Sequence, residues 1–199
     1  MTRPIFCLLM AGCILWTGNA AIADEPATGD EEGAIHVPTP PDIVAKMLEV
    51  AQVTKHDLLY DLGCGDGRIV VAAALEYGCR AVGYDIDARK VRQSKENVKR
   101  HAVEKLVRIE CQDIFQLDLH EATVITLYLL PEMNDQLIPQ LQKLKDGSRI
   151  VSHQFPFEGV QYDRLISIRS EADNVPRDIY LYTLPLKTER VQQRAKQSP

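Results

Sequence analysis

The chain has 199 residues, enough for one domain with a sizeable core, and its apolar (45%) and charged (26%) fractions are those of an ordinary globular protein. Its formal net charge is −5, whereas nucleic-acid-binding domains usually carry a basic excess or patch. No nucleic-acid partner is therefore expected. The cations between residues 89 and 100 are interleaved on one predicted helix, which indicates a solvated helix face.

The N-terminal segment has the pattern of a secretory signal peptide over residues 1–23. Arg3 gives a positive start, residues 4–23 carry no charge, and Ala21-Ile22-Ala23 is a small-x-small cleavage site. This pattern predicts an exported domain, periplasmic or extracellular. Two alternatives stay open: the 20 uncharged residues as an uncleaved membrane anchor, which would be the only membrane contact, and lipid attachment at Cys13.

The remainder divides into three parts. Residues 24–34 are acidic and small, which predicts a disordered linker. Residues 35–185 form the predicted folded domain, and residues 186–199 form a polar, frayed C-terminal tail. Prolines keep residues 37–42 extended before an N-terminal helix with helical apolar spacing from Ile43.

Strands and helices alternate along the predicted domain. The sequence predicts helices over 68–77, 88–101 and 131–144, and strands over 58–60, 80–85, 106–111, 122–129, 148–153, 163–170 and 178–184. Such alternation predicts an α/β fold with a doubly wound, mostly parallel sheet. The last two strands have no helix between them and suit an antiparallel edge, which makes seven strands.

The run Asp61-Leu62-Gly63-Cys64-Gly65-Asp66-Gly67 lies between the first predicted strand of this sheet and the helix at 68. Glycines allow the backbone to approach a ligand closely, and a helix N-terminus presents free N–H groups to it. The dinucleotide fingerprint G-x-G-x-x-G would need glycine at position 68, where the chain has Arg68. This spacing disfavours an NAD-dependent enzyme.

An acid follows the second predicted strand at a spacing that suits a ribose ligand. Asp85 lies 22 residues after Gly63, close to the offset of about 20 expected for a carboxylate that binds ribose hydroxyls. Asp87 competes for this role, but Asp85 stands directly at the strand end.

The D-x-G-x-G-x-G form resembles the first motif of Rossmann-like, S-adenosylmethionine-dependent methyltransferases. Four segments narrow the resemblance to the small archaeal-type protein-lysine methyltransferases and their mitochondrial relatives; they are residues 37–40 (VPTP), 60–68, 126–134 and 149–153. The resemblance to this group covers about residues 35–185. The resemblance implies the cofactor S-adenosyl-L-methionine and methyl transfer to a lysine ε-amine on a protein substrate.

The resemblance also implies the site residues. Those that would bind the cofactor are Thr39, Asp61, Gly63, Cys64, Gly65, Gly67, Asp85, Ile86, Asp113 and Ile114, with Asp113 at the adenine amino group. Ligands bind beyond the carboxyl ends of the strands in open α/β sheets. Tyr128, Glu132 and Asn134 follow the fourth strand and are the candidate catalytic residues, which would position the nucleophile. His153, at the fifth strand's end, is interpreted as a hydrogen-bonded core histidine.

Three cysteines follow the N-terminal segment: Cys64, Cys79 and Cys111. Their odd number and the lack of a CxxC pair fit neither a disulfide framework nor a zinc site, so no metal is expected and all three are predicted to be small buried residues. Two other functions stay open: a small-molecule O- or N-methyltransferase, and an exported binding module without catalysis.

Overall fold

The computed structural model describes residues 38–188. The predicted signal peptide, the acidic linker and most of the C-terminal tail lie outside the described residues. Within 38–188, no helix is both long and apolar enough to cross a membrane.

A seven-stranded sheet forms the centre of the described domain. Its strands are β1 (Leu58–Leu62), β2 (Arg80–Asp85), β3 (Val107–Cys111), β4 (Val124–Leu127), β5 (Arg149–His153), β7 (Arg164–Arg169) and β8 (Pro176–Thr183); a short separate pair joins β6 (Val160–Gln161) to β9 (Lys187–Thr188). The helices are α1 (Pro41–Val50), α2 (Arg68–Tyr77), α3 (Ala88–Arg100) and α4 (Pro131–Leu141), with a 3-10 turn at Ile114–Gln116.

The order of the strands in the sheet is β3-β2-β1-β4-β5-β8-β7. β1 to β5 are parallel to their neighbours, whereas β8 runs antiparallel to both β5 and β7. This is the predicted doubly wound, Rossmann-like methyltransferase fold, and its N-terminal helix and antiparallel edge are also confirmed. The β6–β9 pair was not predicted, and it includes two residues of the expected frayed tail.

The core has two layers, one on each face of the sheet. Alternation along β1 sends Leu59 into the layer under α1, α2 and α3, and sends Tyr60 and Leu62 into the layer under α4. All four residues of β4 are buried, as expected for a central parallel strand covered on both faces. Cys64 and Cys79 are buried as predicted, but Cys111 is exposed because it ends the edge strand β3.

The strand order reverses direction at β1. From β1 the chain winds outward through β2 and β3, and then returns to place β4 on the other side of β1. Crossover connections therefore leave in opposite directions from the carboxyl ends of β1 and β4, which opens a crevice between them. This topology places the end of β1, with its glycine loop, beside the end of β4.

A polar cluster closes the opposite end of the sheet. The carboxylate of Asp57 is almost buried and accepts hydrogen bonds from the Thr123 hydroxyl at 2.7 Å and from the Thr54 N–H at 2.8 Å. It also pairs with Arg149, whose guanidinium donates to the Ala51 carbonyl after α1 at 2.9 Å. Burial works to raise the pKa of Asp57, but the hydrogen bonds and the charge of Arg149 outweigh it, so the pKa is lowered.

We expect Asp57→Asn to reduce the free energy of unfolding by about 2–4 kcal/mol, because Arg149 would lose the carboxylate that compensates its charge. Urea unfolding at pH 7 measures the loss, and the exposed Glu121→Gln serves as the control. Because the pKa of Asp57 is lowered, its carboxylate stabilises the folded state until acid protonates it. The difference in the free energy of unfolding between Asp57→Asn and wild type should therefore shrink below about pH 4. A pH-independent difference, or none, would contradict this role.

Candidate active site

The glycine loop between β1 and α2 adopts a backbone that side chains would obstruct. Gly63, Gly65 and Gly67 all have positive φ, at 80°, 55° and 77°. A Cβ on Gly63 would lie 2.8 Å from a Leu129 methyl carbon, and one on Gly67 would lie 2.1 Å from the Ser94 hydroxyl oxygen. Gly63 and Gly67 are thus required by both conformation and space, and Gly65 is favoured by its conformation.

Hydrogen bonds attach this loop to the end of β2. The N–H groups of Gly63 and Cys64 both donate to the Tyr84 carbonyl, at 2.9 and 2.8 Å, and the Gly65 N–H donates to Asp85 Oδ2 at 2.9 Å. The Cys64 thiol lies 4.0 Å from the Ser94 hydroxyl, and burial followed by the charges of nearby carboxylates raises its pKa. Cys64 therefore remains a neutral thiol that packs beneath the loop.

The two competing acids after β2 have different environments. Asp85 Oδ1 accepts the Asp87 N–H at 2.9 Å, so each of its oxygens has one backbone donor and keeps lone pairs for further donors. Asp87 instead caps α3 by accepting the Arg89 N–H, and it pairs with the Arg89 guanidinium. Asp85 is therefore the better candidate for a diol ligand, and Ile86 next to it exposes 73% of its surface.

Asp61 is buried at the end of β1 and carries an oxygen that has no partner among the described residues. Its Oδ1 accepts the Thr126 hydroxyl of β4 at 2.8 Å, while Oδ2 is buried without a hydrogen bond. Burial, followed by the charges of Asp85 and Asp66, raises the pKa of Asp61 to about 7. A cationic group beside Oδ2 would stabilise the carboxylate form.

The segment before α1 crosses next to the glycine loop. The Thr39 carbonyl accepts a hydrogen bond from Arg68 at 2.8 Å, and Arg68 is held in turn by Asp66 at 2.6 Å. The Thr39 hydroxyl lies 3.2 Å from Nδ1 of His153. The segment before α1 and the glycine loop border one cleft. Its lining residues are Pro38, Thr39, Asp61, Gly63, Cys64, Asp66, Arg68, Ile69 and Tyr128.

The three candidate catalytic residues occupy different positions. Tyr128 is half-buried in the cleft lining, and its ring packs against His153 with 4.0 Å between centroids and 38° between the ring planes. Glu132 is exposed in the first turn of α4. Asn134 is completely buried, and its amide donates to the Ser152 hydroxyl and the Phe155 carbonyl. The structure does not bring Asn134 to the cleft surface, so direct contact with an acceptor is not supported by its position.

The acid after β3 lies at the start of the 3-10 turn. Asp113 caps this turn by accepting the Phe115 N–H at 3.0 Å. The Ile114 side chain is buried in the layer under α4, and its carbonyl faces the Gln140 amide at 3.4 Å. Neither Asp113 nor Ile114 is among the residues that line the cleft described above, so their assignment to adenine binding stays a prediction.

Sequence reasoning gave little weight to His153 and did not identify Phe155. His153 is fully buried, and burial followed by the charge of Arg177 lowers its pKa to about 4. Its second ring nitrogen, Nε2, has no hydrogen-bond partner among the described residues. Its Thr39 contact joins residues 114 apart in the chain, so no local pattern indicates it.

These residues fit S-adenosylmethionine. Asp85 provides lone pairs for the ribose hydroxyls, Gly63 lines the cleft without a side chain, and the buried Asp61 oxygen lies where a positively charged group would compensate it. The fold and this cleft define the class: the protein is an S-adenosylmethionine-dependent methyltransferase.

Comparison with known proteins identifies the family. The family model described as the ANTKMT methyltransferase domain matches residues 61–164, just over half of the chain. A protein-lysine N-methyltransferase of Saccharolobus islandicus (strain REY15A) is 40% identical over 151 residues, which cover 75% of this chain and 92% of the relative. The chain belongs to the ANTKMT methyltransferase family.

Two further similar proteins are also described as methyltransferases. A human lysine N-methyltransferase, named for one subunit of ATP synthase, is 32% identical over 115 residues; the match covers 57% of this chain and about half of the human protein (47%). A crystal structure described as an RNA methyltransferase from Salinibacter ruber in complex with S-adenosyl-L-homocysteine superposes with a TM-score of 0.72 at 41% identity. It covers 77% of this chain and 97% of the other.

We expect Asp85→Ala to weaken S-adenosylmethionine binding at least about tenfold, because it removes the acceptor for ribose hydroxyls and loosens the Gly65 N–H. Isothermal titration measures the change. The matched control is Asp87→Ala, two residues on, which should cost about 1 kcal/mol of stability through the lost helix cap but leave the affinity within about threefold. Equal losses of affinity in both variants would contradict the assignment to Asp85.

The raised pKa of Asp61 predicts a pH effect on stability without ligand. Between about pH 4, the ordinary value, and pH 7, the folded state holds a proton that the unfolded state has lost, so this group makes stability fall as pH rises. His153 acts in the opposite direction over about pH 4 to 6.5, so the comparison of Asp61→Asn with wild type isolates Asp61.

The free energy of unfolding of Asp61→Asn, minus that of wild type, should therefore increase from pH 5 to pH 8. Urea unfolding at both pH values measures this difference. If the difference between variant and wild type is the same at both pH values, Asp61 is not the protonated group.

Proposed function

We propose that this protein transfers the methyl group of S-adenosylmethionine to the ε-amine of lysine side chains in protein substrates. The observation that carries the proposal is the 40% identity to a protein-lysine N-methyltransferase over 92% of that relative. The human relative, whose name gives lysine methylation of an ATP synthase component, supports the same acceptor chemistry.

The position of the cleft supports a side chain as acceptor. Its lining includes Tyr128, directly after β4, and exposed Glu132 follows in the first turn of α4. Only residues 154–163 separate β5 from β7, and they include the short strand β6. Within the described residues there is thus no inserted substrate domain after β5, and a protruding lysine can approach the cleft from solvent.

The chemistry requires a neutral amine held in line with an electrophilic methyl group. When bound, S-adenosylmethionine supplies that methyl group from its sulfonium. Lysine has an ordinary pKa of about 10.4, so its ammonium must lose a proton before it attacks. His153 is a poor acceptor for that proton, because burial lowers its pKa to about 4 and Nδ1 already contacts Thr39.

The contribution of the protein is then mainly orientation, which can supply roughly 7–11 kcal/mol of a barrier. Tyr128 forms a side wall of the cleft and is held by its stacking on His153. Glu132 offers a carboxylate that attracts the incoming ammonium and accepts a hydrogen bond from it. The proton leaves to solvent through the open side of the cleft.

The test is methyl transfer from radiolabelled S-adenosylmethionine to a mixture of proteins, followed by mass spectrometry of the labelled peptides. We expect methyl-lysine, with label lost when the lysines are first acetylated to non-nucleophilic amides, and reduced at least about tenfold in Asp85→Ala. The matched control for the acceptor is total RNA, because the Salinibacter ruber neighbour is described as an RNA methyltransferase. Label in RNA and none in protein would overturn the proposal.

A further inference from the structure

We propose that the rings of Tyr128 and Phe155 form an aromatic surface that receives the alkyl chain and charged end of the acceptor lysine, with Phe155 as a specificity-determining residue. This inference rests on the proposed function. It gives the loop after β5 a role in acceptor binding.

The two rings are adjacent and nearly parallel. Their centroids are 6.5 Å apart, with 21° between the planes, and both residues are half-buried. Tyr128 lines the cleft, and its ring also contacts the His153 ring, with 4.0 Å between centroids. Aromatic faces attract alkylammonium groups through the ring quadrupole and bury the methylene chain of lysine.

The backbone that carries Phe155 is strained and tightly held. Gln154 adopts φ = 70°, a left-handed conformation that costs a residue other than glycine free energy. The Phe155 N–H donates back to the His153 carbonyl at 2.9 Å, and the Phe155 carbonyl accepts the Ser152 hydroxyl at 2.5 Å. Strain of this kind persists only where the surroundings over-determine it, and here it directs one aromatic ring toward Tyr128.

Asn134 completes this support. Its amide nitrogen lies 3.2 Å from the Phe155 carbonyl and 3.3 Å from the Ser152 hydroxyl, and the residue is fully buried under the loop. An amide in α4 thus fixes the backbone of a residue after β5. Asn134 acts as a positioning residue for Phe155 and reaches the acceptor through that ring.

The charge around the rings suits a cation. His153 is neutral above about pH 4, so the ring behind Tyr128 does not repel an ammonium group at physiological pH. Arg177, the cation that faces His153, is paired with Asp173 at 2.6 Å. An alkylammonium group at the aromatic surface therefore meets two ring faces and a neutral imidazole behind Tyr128.

The experiment measures steady-state methylation of poly-L-lysine by the full chain and its variants, with S-adenosylmethionine affinity measured separately by titration. Phe155→Leu should raise KM for poly-L-lysine about 3- to 30-fold and leave the S-adenosylmethionine Kd within about twofold. Phe155→Tyr, which keeps the ring, should stay within about threefold of wild type. Asn134→Ala should raise the same KM with an unchanged Kd, and thermal melting checks that each variant is folded.

Tyr162→Leu is the matched control, because Tyr162 is a 39% exposed aromatic residue that packs edge-on against Tyr180, outside the cleft lining. It should leave KM unchanged. An unchanged KM in Phe155→Leu, or an equal rise in KM and in the S-adenosylmethionine Kd, would overturn the proposed aromatic surface but leave the proposed lysine methylation standing. Methylation of protein lysines but not of poly-L-lysine by wild type would also count against it. Wild type that makes no methyl-lysine at all overturns the proposed function, and this inference with it.

Discussion

The attachment of the glycine loop to β2 is the constraint on which the site depends. Two consecutive N–H groups, of Gly63 and Cys64, share the Tyr84 carbonyl, and a third, of Gly65, donates to Asp85. Such bonds require the loop backbone to lie directly on the strand end, which is possible only where no side chain intervenes. The same contact fixes the Asp85 carboxylate, starts α2 at the next turn, and brings the loop to the crevice between β1 and β4.

A second set of contacts joins the cofactor side of the cleft to the acceptor side. Thr39 receives Arg68 on its carbonyl and meets His153 with its hydroxyl. His153 then stacks on Tyr128. The segment before α1 is therefore held by the first residue of α2 through one atom and by β5 through another. Since both bonds come from one residue, a displacement of this segment is felt on both sides of the cleft.

The elements that the sequence predicted best are those with local signals at their ends. Helix α2 has the predicted bounds, 68–77, because Gly67 and Gly78 stand in left-handed conformations at its two ends. The β6–β9 pair has two-residue strands, far below the length at which alternation is visible, and it was missed. Helix α4 ends three residues before its predicted limit, since the apolar pattern continues into the turn after Leu141.

The candidate site divides in the same way: the positions of Gly63 and Asp85 follow from strand–turn–helix spacing, which is local. The environments of His153 and Asn134 depend on partners that are distant in sequence, 114 residues away for the first and 18 to 21 for the second. Residue types at these positions suggested polar roles, but burial, stacking and the neutral state of the imidazole exist only once β4, β5 and α4 are packed together.

The two sides of the cleft select their ligands by different means. The cofactor side is built mainly from main-chain geometry and the carboxylates of Asp61 and Asp85. The proposed acceptor side consists of Tyr128 after β4 and Phe155 on the loop after β5, whose backbone is held by Ser152 and Asn134. The contacts that hold the glycine loop are made by Tyr84 and Asp85, so we expect substitution of the Phe155 ring to alter the choice of acceptor while cofactor binding is retained.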